Sequence, residues 1–150
     1  MRDHSTALTG NRVKIHAAAD TAALAAQLAV EPTTLLLTDA GWGPAGSRVR
    51  GMFIDIFGSD ASVDITGPVD VQVWDPSVFA TFAGGADAVG RWLVAETLDG
   101  GGNINVGTRG RRYALLDVAA GVTAVRLSAA AVAGGTVDVY VTPFIFDGGA

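Results

Sequence analysis

The 150-residue chain has no cysteine, two histidines, two glutamates and a single lysine. Without Cys there is no disulfide framework, thiolate zinc site, iron–sulfur cluster or Cys nucleophile, and the redox compartment is left open. Charge is scarce as well, with 17% of residues charged against 49% in the hydrophobic set. That balance excludes a disordered chain, and the length suits one domain with a sizeable core. A net charge of −5 counts against a protein whose task is to neutralise a phosphate backbone. The first ten residues lack the apolar core of a secretory signal. Residues 17–30 are broken by Asp20, Thr21 and Gln27 and are too short to span a bilayer. The sequence therefore predicts a soluble chain made in a cytoplasm, with no membrane contact.

What charge remains is biased. Nine of the ten basic residues are Arg and 13 of the 15 acids are Asp, a combination suited to planar, bidentate pairing at interfaces, although GC-rich coding gives the same bias. Two textures divide the chain near Gly41-Trp-Gly-Pro-Ala-Gly46. Before that join, residues 17–31 are rich in Ala, the best helix former, and stop at Pro32, so they read as a short helix or as an extended small-residue arm. Residues 33–38 read as a first buried strand.

From residue 47 onward the period is two. Val69, Val71 and Val73 alternate with Asp70, Gln72 and Trp74, and Val137, Val139 and Val141 alternate with Asp138, Tyr140 and Thr142, the pattern of strands with one buried face. Further strands are expected at 48–57, 62–66, 91–98, 103–106, 111–118 and 122–128, separated by Gly, Pro and Asp turn signals. Strands at this spacing with no helices between them predict an all-β fold, an antiparallel sandwich or jelly roll of about eight strands. The expected organisation is an arm and hinge over 1–46 and a sandwich domain over 47–150, so that loss of residues 1–40 leaves the sandwich folded. The strand at 48–57 breaks the rule: Met52, Ile54 and Ile56 face one way and Phe53 and Phe57 the other, with only Asp55 polar between them. Both of its faces call for burial.

Catalytic constellations are thin. His4 and His16 both precede the sandwich, and no Gly-x-Ser-x-Gly elbow occurs, so a Ser–His–acid site has no obvious base. Glu96 with Asp70 or Asp138 is the one combination of acids that strands could bring together for glycoside chemistry, and outward-facing polar positions on half-exposed strands explain them better. The loops Asp99–Asn105 and Asp55, Asp60, Asp64 are rich in oxygen ligands, but Asp, Asn and Gly are ordinary turn residues and no EF-hand pattern is present. No cofactor, metal or catalytic residue is assigned. The basic run Arg109-Gly-Arg-Arg112 reads as a site for an acidic protein partner or as the protected start of an edge strand.

The stretch Val125-Arg-Leu-Ser-Ala-Ala-Ala-Val-Ala-Gly-Gly-Thr-Val-Asp-Val-Tyr-Val-Thr-Pro-Phe144 resembles the closing hairpin of small β-sandwich virion proteins of tailed bacteriophages and phage-like particles. The resemblance implies a non-enzymatic structural subunit, such as a capsid decoration or head–tail component. It would be a homo-oligomer made in the host cytoplasm and would bind the major capsid protein or another particle protein. The interface residues expected on that basis are Leu24 and Leu28 in the arm, Trp42 at the hinge, and Arg109, Arg111 and Arg112 at a rim, since Trp and Arg dominate hot spots. The alternative from another class is a carbohydrate-binding module that uses Trp74, Trp92 or Tyr140 as stacking platforms.

Overall fold

The computed structural model describes residues 7–9, 12–24, 51–79, 89–116 and 124–146. The expected strand at 33–38, Leu28, Trp42 and the Gly41–Gly46 join lie outside these residues. The described chain is an all-β sandwich. Its strands are β1 (Ala7–Thr9), β2 (Val13–Ala19), β3 (Gly51–Gly58), β4 (Asp64–Thr66), β5 (Val69–Phe79), β6 (Val89–Leu98), β7 (Ile104–Asn105), β8 (Arg111–Leu116), β9 (Ala124–Ser128), β10 (Ala131–Ala133) and β11 (Val137–Phe146). One helical turn, α1 (Thr21–Leu24), follows β2.

All pairings are antiparallel. The larger sheet runs β1-β11-β3-β8, with β2 also on β11. Since β1 covers Phe144 to Phe146 and β2 covers Val137 to Val141, the N-terminal segment is in effect one interrupted edge strand along β11. The second layer comprises β6-β5-β9 and β10-β4-β7. Its two parts continue one another: Thr66 faces Ala131 and Asp70 faces Ser128 on one side, while Ile65 faces Ile104 and Val69 faces Leu98 on the other. A transverse break at Gly67-Pro68, the Asp99–Gly101 turn and residues 129–130 separates them. At Gly67 the chains come so close that a Cβ would strike the Gly102 carbonyl.

Strand alternation builds the core. Met52, Ile54 and Ile56 of β3, Val137, Val139 and Val141 of β11, and Leu115 of β8 meet Val69, Val71 and Val73 of β5 and Val125 and Leu127 of β9. Ile65, Ile104, Val63 and Val106 extend the same cluster across the break. Each such side chain contributes about 1.5–3 kcal/mol through burial, so this cluster is the main source of stability.

The expected Ala-rich helix or arm at 17–31 is revised over residues 17–24, and residues 25–31 lie outside the described ones. Ala17, Ala18 and Ala19 end β2, and pairing with β11 overrides their helix propensity, because a partner strand adds ladder hydrogen bonds and burial that a weak helix face cannot match. Register shifts between Val137 and Tyr140 mark a bulge. Ala18 sits there at φ 46, and its amide donates to Asp138 Oδ1 at 2.8 Å. Asp20 then caps α1, accepting from the Ala23 amide at 3.0 Å. The turn drives Leu24 into the core, where it is 1% exposed.

The N-terminal segment also closes the edge of the second layer. The Leu127 amide donates to His16 Nε2 at 3.0 Å, and the Ala129 amide donates to the Leu24 carbonyl at 3.1 Å. The Thr21 hydroxyl accepts from the Val132 amide at 2.9 Å and donates to the Val132 carbonyl at 3.2 Å. These groups stand in for a strand and blunt an edge that would otherwise invite pairing.

His16 is thus an acceptor held between the layers, with its proton on Nδ1. Burial, and secondarily the charge of Arg126, lowers its pKa from 6.5 to about 4. The native state needs the neutral ring, so its contribution is complete above pH 6.5 and is lost as pH falls toward 4. The loss reaches about 3 kcal/mol. Urea unfolding of the wild type and of His16→Gln, which keeps an acceptor but does not titrate, should show a stability gap that shifts against the wild type between pH 7 and pH 4. A gap independent of pH would refute this.

Candidate functional site: an aromatic and arginine face

The outward residues of the larger sheet form the most distinctive surface. On β3, Phe53, Asp55 and Phe57 alternate with the core residues, and the register lays Thr142, Tyr140 and Asp138 of β11 beside them in that order. Lys14 of β2 lies beside Tyr140, and Arg112 and Ala114 of β8 lie beside Asp55 and Phe53. The two-sided apolar demand of β3 is therefore met by the core on one side and by this face on the other.

Aromatic rings pair along it. Phe53 and Phe144 are tilted with centroids 4.7 Å apart, and Phe57 meets Tyr140 edge to face at 5.8 Å. Phe144 lies across Gly51, where a Cβ would come within 2.5 Å of its ring; only glycine leaves room for that ring. Gly110, at φ 77, likewise lets the turn before β8 pass over Phe57.

Each ring pair carries a cation. The Arg12 guanidinium stacks 3.9 Å from the Tyr140 centroid and 5.4 Å from that of Phe57. Arg112 lies 4.7 Å from Phe53 and grips Asp55 in a fork, Nε to Oδ1 at 2.6 Å and Nη2 to Oδ2 at 2.9 Å. Asp55 is buried at 4% exposure, and the fork compensates its lost hydration. That hydrogen bond also raises the Arg112 pKa further. Lys14 Nζ lies 3.9 Å from Asp138 Oδ1. Phe53, Phe57 and Tyr140 stay partly exposed, and Leu116, at the end of edge strand β8, is 64% exposed.

Of the anchors expected from sequence, Leu24 is corrected: it belongs to this domain's own core and offers nothing to a partner. The arginine run is split. Alternation along β8 sends Arg112 to the aromatic face, while Arg111 donates from Nε to the Asn105 carbonyl at 3.1 Å. Arg109 is exposed in the preceding turn. Next after the two strand arginines, Tyr113 donates to Asp99 Oδ2 at 2.9 Å, and burial together with that bond pushes its pKa up to about 12.

The other candidates have structural duties. Trp74 is 3% exposed and meets Trp92 edge to face at 5.5 Å. Arg126, which donates to Gln72, lies 4.3 Å from the Trp92 ring and takes one of its faces. Asp138 stands on the other sheet from Glu96, and Asp70, on the strand beside Glu96, faces Thr97 in the register and accepts from its hydroxyl at 2.6 Å, so the three acids do not form one cluster. In the oxygen-rich loops, Asp60 caps Ser62, Asp64 accepts from Asn105 and Asn103 accepts from the Gly67 amide. Among the described residues no group of three or more His, Asp or Glu could hold a metal ion, and no helix is long and apolar enough to cross a membrane.

Arg12, Lys14 and Phe144 were not singled out in the sequence. The two-sided pattern of β3 was the available signal, but their link to it spans almost the whole chain. No protein-family model, curated protein or solved structure matches this chain, so its function is argued from this geometry.

Proposed function

We propose that the chain is a non-enzymatic structural subunit of a phage or phage-like particle. It decorates or stabilises the capsid, or a head–tail or tail assembly, by docking the outer face of its larger sheet. The observation that carries this reading is the composition of that face: three partly exposed aromatic rings interleaved with arginines on the outer side of the larger sheet. Aromatic residues and Arg are enriched at interface cores and hot spots, and they lose little entropy when already packed against each other. The β-sandwich fold supports the same reading; the expected closing hairpin at 125–144 is not formed, since β9 pairs with β5 and β11 pairs with β3 and β2, in different sheets. Docking through a sheet face asks nothing of residues 7–9 and 12–24, which pack within the domain.

The test is gradient sedimentation of lysates from cells that carry the gene, with the chain followed by immunodetection. It should travel with assembled particles. The double variant Phe57→Ala, Tyr140→Ala should lose at least about tenfold in association, as expected when hot-spot rings are removed, while keeping a cooperative thermal unfolding transition. A chain that stays at the top of the gradient, or a variant that associates as well as the wild type, would overturn the reading.

A further inference from the structure

The structure assigns a partner chemistry to this face: we infer that Arg12, stacked on Tyr140, is the receptor for a carboxylate on an extended acidic–apolar segment of another protein. The inference rests on the docking role of the face and adds the kind of group that docks.

The argument begins with which charges are already used. Asp55 and Arg112 satisfy each other in a fork, and Lys14 lies beside Asp138. Arg12 is different. Its described contacts are with the Tyr140 and Phe57 rings, and among the described residues no carboxylate pairs with it. Arg12 is exposed and its guanidinium carbon sits over the Tyr140 ring, which leaves an N–H rim that the ring does not engage. That rim matches the two oxygens of a carboxylate, and the stacking has already reduced the rotamer freedom that binding would otherwise cost. Phe57 and Tyr140 beside it are partly exposed apolar surface, so apolar side chains flanking the carboxylate also find a place.

Charge complementarity selects among occupants. A second copy in a two-fold arrangement would bring the same face, whose carboxylates are already paired with Arg112 and Lys14, so it has none to offer Arg12. A nucleic acid needs several uncommitted cations along its backbone, whereas among the described residues this face has one, and the chain is −5 overall. A single carboxylate framed by apolar residues fits that guanidinium.

The experiment is an NMR titration of the full chain, following the Arg12 side-chain Nε–H and the Tyr140 ring. The probes are the peptide Gly-Glu-Leu-Glu-Leu-Glu-Gly, the same peptide with Gln for each Glu, and a ten-nucleotide thymidine oligomer. The acidic peptide should shift the Arg12 signal and saturate. The Gln peptide should bind at least about tenfold more weakly. Arg12→Gln should lose the acidic peptide to a similar degree, and Arg12→Lys, which keeps the charge without the fork, should fall between. Equal binding of the Gln peptide, undiminished binding by Arg12→Gln, no binding of the acidic peptide, or tighter binding of the thymidine oligomer would each overturn the inference. Failure to sediment with particles alongside selective acidic-peptide binding would remove the particle reading and leave this one standing.

Discussion

A chain that lacks residues 1–24 is expected not to fold. Such a deletion removes β1, β2 and α1, strips β11 of every partner on one side and takes Ala19 and Leu24 out of the core. It also uncaps the amides of Leu127, Ala129 and Val132. Loss of a buried Leu alone costs about 2–5 kcal/mol, and whole domains are stable by only about 5–15 kcal/mol. The sum exceeds what the remaining sandwich can tolerate. Far-UV circular dichroism and a proton–nitrogen correlation spectrum check this: the truncated chain should show poor amide dispersion and no cooperative melt. The point variant Leu24→Ala should fold but lose about 2–4 kcal/mol in urea unfolding. A well-dispersed spectrum from the truncated chain would mean that the N-terminal segment is a detachable arm after all.

The second large effect centres on Asp55. Replacing Arg112 by Ala leaves a carboxylate at 4% exposure without its fork, and an orphaned buried charge is far costlier than the lost attraction suggests. The expected loss is about 3 kcal/mol, at the lower end for buried pairs because the Arg112 side chain is itself 58% exposed and water can enter where it stood. The double variant Asp55→Ala, Arg112→Ala should recover much of the loss, giving a coupling energy of about 2 kcal/mol in a double-mutant cycle. Additive effects of the two single changes would show that the fork does not hold Asp55 in place.

These two results bear on how much of the molecule can be read from its sequence. The sandwich itself was legible, because β3, β5 and β11 are long and alternate cleanly on at least one face, and alternation is what an antiparallel layer demands. The segment at 13–19 was not, since its Ala-rich end reads as helix and only a strand some 120 positions away makes it extended. β10, Ala131–Ala133, was lost among small residues for the same reason. At the face, Phe53, Asp55 and Phe57 stood out as a strand with too much to bury, and that signal pointed to the outer side of the larger sheet. The arginines misled through adjacency: neighbours in a strand point to opposite sides, so a run in the sequence is not a patch in space. Arg12 and Tyr140 could not be joined by any local pattern.

The pairing of the first strands with the last has a consequence for synthesis. Asp138, which receives the Ala18 amide, is made 120 residues later, so at ~5–20 residues per second β2 waits about 6–24 s for β11 to leave the ribosome. Contacts this distant in sequence also close slowly, because loop entropy is lost before they form. During that interval His16, Thr21 and Leu24 have nothing to cap. A β2 segment from a neighbouring nascent chain fits β11 as well as the chain's own does, and strand exchange between copies is the characteristic error of such a closure.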